Sequence, residues 1–266
     1  MLVTFSKLGK FGRIGNSMFQ IAATLGYALK HKRRTCFPFW EYGEEFSTKI
    51  YQNDLFFLLH PNLKTHHEPS FKYTEIPDCN EPLIDLVGYF QSEKYFVENK
   101  EDVLKFFQFS FKTRHPVFKH LTSMLNSSNE QRLVAVHIRR GDYLTLPDYH
   151  PVLPTAYYDE AIALVKQTSI RKDLIFLIFS DDPDYAEAIY GERPGFIVVK
   201  NTAPITDLYL QSLCNYHIIA NSSFSWWGAY LAKSLMVITP GGKYPWFGPK
   251  GPTDSQDLIP SSWHKL

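Results

Sequence analysis

Arg139 and Arg140 stand side by side directly after the apolar run 133–138, and Gly141 and Asp142 follow them. Guanidinium forks hold phosphate oxygens through parallel charge-assisted bonds worth roughly 1.5–3 kcal/mol each, so this placement suits a phosphate-bearing ligand. A surface Arg–Asp pair that closes the turn is the plainer alternative. Further along, Asn221, Ser222 and Ser223 lead into a helical stretch. Backbone N–H groups at such a helix start make an anion seat, and a simple N-cap is the plainer reading there. Asp182 and Asp184 are spaced as a DxD metal pair, but Pro183 between them suits a first helical turn that Asp182 can cap, and no metal is expected. Near the start, Gly9, Gly12 and Gly15 alternate with Lys10 and Arg13, and the glycines permit close backbone approach.

These clusters need a scaffold that brings them to one edge. The stretch 2–5 reads as a short buried strand, and beyond Asn16 the positions Met18, Ala22, Leu25 and Leu29 repeat at the period of one helix face. Residues from about 36 to 130 are aromatic-rich and interrupted by Pro38, Pro61, Pro69, Pro77 and Pro82, and show no usable period. The polar cluster Asn126, Ser127, Ser128 and Asn129 suits a domain boundary. Thereafter apolar runs at 133–138, 174–179, 196–199, 218–220 and 235–239 alternate with helical segments at 155 onward, 183–190, 208–214 and 224–233. Alternating strands and helices imply a parallel sheet, whose ligands bind outside the carboxyl ends of the strands. The arginine loop, Asp181 with Asp182, and the 221–223 turn each follow such a strand. They therefore share one rim.

Composition narrows the classes of function. Lys and Arg total 28 against 27 Asp and Glu, a net charge of +1, which removes the basic excess that nucleic-acid binding requires. The 266 residues, 44% hydrophobic and 21% charged, suit a folded globular protein of one large or two compact domains. Aromatics reach 16%, read as packing. Cys36, Cys79 and Cys214 are odd in number and widely spaced, which argues for reduced thiols and against a disulfide framework or thiolate zinc site. No signal peptide and no membrane span is legible, so a soluble cytoplasmic protein is expected.

The segment HIRRGDY, residues 137–143, resembles the bacterial-type α-1,2-fucosyltransferases of glycosyltransferase family 11. NSSFSWWGAYL at 221–231 is a second, longer match, and GRIGNSMFQIA at 12–22 is similar to the family's N-terminal glycine motif. FSDD at 179–182, DLYLQSLCNYHIIA at 207–220 and DLIPSSW at 257–263 complete the family order over nearly the whole chain. The resemblance implies an α/β GT-B arrangement, two Rossmann-like domains facing across a cleft. Residues 1–128 would form the acceptor-side domain with the glycine-rich loop, and 129–266 the GDP-fucose-binding domain, its last residues packing back on the first.

By the same resemblance Arg139, with Arg140, would hold the donor's diphosphate, and His137 would contact guanine or ribose. Asp207 would accept guanine N–H bonds, and Asp181 and Asp182 would position the donor. Ser222, Ser223 and Phe224, beside Asn221, would face the phosphates; Gly12, Gly15 and Asn16 would close over fucose and diphosphate. Ser17 departs from the family, where glutamine is more usual. The reaction implied is inverting transfer of L-fucose from GDP-fucose to the 2-hydroxyl of a galactose-terminated glycan, with no metal or other cofactor. Asp142 is the candidate general base and His150 the second, with orientation of an arginine the plainer role for Asp142. Asn221-Ser222-Ser223 is also a formal glycosylation sequon, and a glycan there would block the site. A bacterial cytoplasmic enzyme is therefore expected, touching the inner membrane only peripherally through a lipid-linked acceptor. A Mn²⁺-dependent sugar-nucleotide enzyme that uses Asp182 and Asp184, and a glycan-binding protein without catalysis, are the competing readings. Full activity in excess chelator excludes the first, and donor turnover the second.

Overall fold

A computed structural model describes residues 1–60, 63–124, 131–171 and 173–266, so the boundary cluster 126–129 lies outside the described residues. The chain divides into two compact units, residues 1–112 with 254–260 and residues 113–253 with 261–266.

The first unit opens with β1 (Leu2–Thr4) and α1 (Ile14–Lys30), followed by β2 (Arg34–Thr35), α2 (Asp54–Leu59), β3 (Lys64–His67), β4 (Leu83–Val87) and α3 (Lys100–Lys105). Among the described residues its strands form a parallel sheet in the order β2-β1-β4-β3. Helix α1 is buried on most of its circumference: Met18, Phe19, Ile21, Ala22, Ala23 and Leu25 all pack inside. The periodic face ends sooner than the sequence suggests, because Leu29 is exposed. The helix also begins earlier, so Gly15 and Asn16 belong to its first turn rather than to the loop before it.

Helix α4 (Phe111–Met124) leads into the second unit, which continues with β5 (Arg132–Ile138), α5 (Thr155–Thr168), β6 (Leu174–Ser180), α6 (Pro183–Tyr190), β7 (Phe196–Val198), α7 (Pro204–Ser212), β8 (Tyr216–Ile218), α8 (Ser223–Leu231), β9 (Met236–Thr239) and β10 (His264–Lys265). The strands are parallel in the order β10-β9-β8-β5-β6-β7. Strand β5 reads as a continuous apolar run because both its faces are covered. Val134, Val136 and Ile138 pack with Tyr157, Ala161 and Val165 of α5, while Leu133 and Ala135 pack with Val117 and Leu121 of α4 and with Leu210 of α7. Each such fully buried side chain contributes about 1.5–3 kcal/mol. Trp226 and Trp227 are fully buried in α8, as packing residues. Cys36, Cys79 and Cys214 are free thiols, and Cys79, unlike the other two, is only half-buried. Among the described residues no helix is long and apolar enough to cross a membrane.

Candidate functional site

The register of the second sheet sets the site. Ile138 pairs with Ser180 of β6, and Val136 with Ile218 of β8. Counted onward in the same register, Arg139, Asp181 and Asn221 arrive level at the carboxyl edge of three adjacent strands. The sheet grows from β5 through β6 to β7 on one side, then returns to place β8 and β9 on the other. Between β5 and β8 the connections therefore depart in opposite directions, the arrangement that leaves a ligand crevice in open α/β sheets.

Arg139 is largely buried, with two carboxylates as partners: Nη1 lies 2.9 Å from Asp181 Oδ2, and Nη2 pairs with Asp142 Oδ1. Its Nε is buried without a hydrogen-bond partner, and its guanidinium carbon lies 5.2 Å from the centre of the Tyr143 ring. Asp181 does more than pair with Arg139, since its Oδ1 also accepts the Arg140 backbone N–H at 2.9 Å. That grip requires Gly141, where a Cβ would stand 2.4 Å from Asp181 Oδ2. Arg140 differs from the expected second phosphate fork. Its Nε donates to Asp182 Oδ2 at 3.0 Å and its guanidinium carbon lies 3.7 Å from the Tyr185 ring centre, which braces the loop onto α6. Asp182 also caps α6 by accepting the Tyr185 N–H at 3.2 Å, and these bonds, that of Arg140 first, hold its carboxyl below the usual carboxylate range. Asp182 thus serves as the helix cap that the sequence offered as its plainer role. Among the described residues no three His, Cys, Asp or Glu side chains are grouped to hold a metal ion.

His137 alternates with the apolar residues of β5, is 5% exposed, and lies 5.5 Å, ring to ring, from Phe224 across the crevice. Burial, helped by the neighbouring Arg139 charge, pushes its pKa down to about 3, so the imidazole is neutral, and its Nδ1 has no partner. His150 stacks on Tyr143 at 4.7 Å. Burial lowers its pKa, as does Arg139, against an opposing pull from Asp142, and its Nδ1 is also buried without a partner.

The 221–224 turn differs from the expected row of available amides. The Ser222 N–H donates to Ala220 O at 2.8 Å, although no side chain caps the start of α8. Asn221 is 2% exposed, and its Nδ2 donates at 3.0 Å to both Pro151 O and Trp246 O. Its backbone carbonyl accepts the Tyr143 hydroxyl at 2.8 Å. Asn221 therefore ties together the loops around the crevice, and the sequon is closed to glycosylation in the folded chain. Replacing Asn221 with Ala should cost about 2–4 kcal/mol, two hydrogen bonds and two carbonyls left buried, read as a lowered urea midpoint. An unchanged midpoint would count against the tie.

Asp207 falls inside the first turn of α7, whose start Pro204 fixes some four residues before the apolar run suggests. Burial pushes its pKa up to about 6, against the opposing bond from the Thr202 hydroxyl.

In the first unit Gly12 has φ +91°, and a Cβ there would stand 2.1 Å from Asn16 Nδ2, so glycine is required on both counts. Asn16 Oδ1 accepts a bond from Gln91 Nε2 at 2.9 Å. Gln91 follows a turn in which Phe90 has φ +51° and Glu68 Oε2 accepts the N–H groups of Tyr89 and Phe90 at 2.7 and 2.9 Å. Gly12 and Asn16 follow β1, Glu68 follows β3 and Gln91 follows β4, so all of them lie beyond the carboxyl ends of this parallel sheet. Sequence reasoning missed Gln91 and Glu68, because both lie in the stretch without a period.

The family model of glycosyl transferase family 11 matches residues 44–240. An alpha-1,2-colitosyltransferase of Escherichia coli is 32% identical over 195 residues, 69% of this chain and 62% of that protein, so the match spans less than two thirds of the relative. Among solved structures, the fucosyltransferase NodZ from Bradyrhizobium aligns with a TM-score of 0.59 at 13% identity, over 92% of this chain and 96% of that one. POFUT1 in complex with GDP-fucose aligns with a TM-score of 0.56 at 13% identity, over 88% and 95%. The likeness to these structures shows the fold, which is α/β of the GT-B type.

Proposed function

The chain belongs to glycosyl transferase family 11, and from that membership we propose that it moves L-fucose from GDP-fucose to the 2-hydroxyl of a galactose in a glycan acceptor, with inversion at the anomeric carbon. The observation that carries this reading is Arg139, a buried guanidinium with a partnerless Nε, held level with the uncapped start of α8. The relative named for an alpha-1,2 transfer supports the linkage, and the GDP-fucose complex of a structural neighbour supports the donor.

Each residue has a role in this reading. Arg139 and the amides that open α8, around Ser223 and Phe224, meet the diphosphate and stabilise the charge that gathers on GDP as the glycosidic bond breaks. Asp181 fixes Arg139, and Asp182 fixes Arg140. His137, neutral, bonds the nucleoside, and Asp207 accepts from guanine. Asp142 removes the acceptor proton, with His150 as the second candidate. For Gly12, Gly15 and Asn16 the resemblance supplies the role, contact with the sugar and its diphosphate. Prearranged cations and N–H donors supply the stabilisation that a metal provides elsewhere, so transfer is metal-independent. The setting proposed is the bacterial cytoplasm, with peripheral contact to the inner membrane through a lipid-linked acceptor.

The test is transfer from GDP-fucose to lactose in excess EDTA, with the product linkage read by NMR. A 2-linked fucosyl-lactose is expected. Activity that chelator abolishes would overturn metal independence, and a product linked elsewhere would overturn the regiochemistry. The relative's name points to a different sugar on the same linkage, so a donor that carries that sugar should be assayed alongside. Exclusive use of it would overturn fucose and leave the site intact.

A further inference from the structure

We propose that Asp142 is a displaceable counter-ion that the donor's diphosphate exchanges for itself on Arg139, so that this carboxylate opposes donor binding. The inference rests on the reading of Arg139 as the diphosphate ligand. Its ground is a charge count around one guanidinium. Arg139 faces Asp181 on Nη1 and Asp142 on Nη2, so a single cation stands between two carboxylates. A diphosphate brought to the same fork adds at least two negative charges beside them. Both terminal nitrogens already carry a carboxylate, so an anion that takes this fork must displace one of them, and like charges a few ångströms apart repel strongly in a partly desolvated site.

The geometry decides which group yields. Asp181 is 24% exposed, holds Arg139 through Oδ2 and the Arg140 backbone N–H through Oδ1, and is wedged against Gly141. Its removal would release both the guanidinium and the loop. Asp142 is 43% exposed and lies three residues from Arg139, in a short 3-10 turn 141–145. Only the carboxylate of this pair is well exposed, and water takes up its charge when it leaves. Asp142 is the partner that leaves, while Asp181 keeps the fork aimed. Donor binding then moves a carboxylate off Arg139 and frees it for the acceptor hydroxyl, which couples the proposed base to the presence of the donor.

The two carboxylates therefore have opposite effects on one equilibrium. In calorimetric titration with GDP, Asp142→Asn should bind about two- to fivefold more tightly than the wild type, although its transfer rate falls. Asp142→Ala should change affinity in the same direction, which removes any dependence on the new amide. Asp181→Asn should bind GDP more weakly. Unchanged or weaker GDP binding in both Asp142 variants would overturn the proposal, as would tighter binding in Asp181→Asn. A wild-type protein with no affinity for GDP would instead overturn the donor assignment itself. A simple orienting role for Asp142 predicts weaker binding and is separated by sign alone.

Discussion

Arg139→Ala should abolish fucosyl transfer and lower GDP affinity by about 10²–10⁴-fold, the loss of two charge-assisted bonds of roughly 1.5–3 kcal/mol each. Two effects combine. The diphosphate loses its buried guanidinium, and Asp142 and Asp181 are left facing the same space without the cation that separates them. The fold should survive. Arg139 lies beyond the last paired residue of β5, and the apolar clusters on both faces of that strand do not include it. A single thermal unfolding transition together with lost GDP binding in calorimetry is the expected outcome. Arg139→Lys separates charge from shape: it keeps the cation, lacks the planar fork that meets Asp181 and phosphate in parallel, and should recover only a small part of the affinity. Unchanged GDP binding in Arg139→Ala would remove the basis of the donor site.

The contrast between the two units shows what a sequence exposes. In the second unit β5 and β6 are covered on both faces, so each appears as an unbroken apolar run, and the polar residue that ends each run marks the rim. Arg139, Asp181 and Asn221 were legible for that reason. Their partners were not. That Arg140 turns to Asp182 and Tyr185, while Arg139 keeps the crevice, depends on which side of the turn each side chain leaves, and two adjacent arginines look alike in sequence. The turn 221–223 reads as an anion seat of backbone amides, and nothing in it tells that the Asn221 side chain serves two carbonyls far away in the chain, at Pro151 and Trp246. In the first unit the decisive contacts run from Glu68 to the Tyr89 and Phe90 amides and from Gln91 to Asn16. Strands of two to five residues with aromatic packing between them leave no period to read. Strand β10 escaped notice for the same reason, since two residues paired to the edge of β9 carry no pattern.

Asp207→Asn should stabilise the protein and weaken donor binding at once. A carboxyl whose folded pKa is about 6 holds its proton more tightly in the native chain than in the unfolded one. Between the ordinary carboxylate range and pH 6 the native state therefore binds the extra proton, and stability falls as pH rises through that window. Above it the whole penalty is present, about 3 kcal/mol for a shift of this size. An amide cannot ionise, and its oxygen can still accept the Thr202 hydroxyl, so Asp207→Asn should gain about 1–3 kcal/mol at pH 7.5 and little at pH 4, read by denaturant titration. The function asks for the opposite. The carboxylate can accept two guanine N–H bonds in parallel, whereas an amide presents one donor to a donor and should lose about 10²–10³-fold in affinity for GDP-fucose. The two effects are linked through the same proton. Wild-type affinity for GDP-fucose should fall about tenfold per pH unit below 6, because Asp207 must ionise to bind, and the diphosphate of this donor has no proton to exchange near neutrality. In Asp207→Asn that slope should vanish. A variant that keeps the wild-type pH slope would show that Asp207 is not the group that reads the base, and one no more stable at pH 7.5 would show that its carboxyl carries no burial penalty.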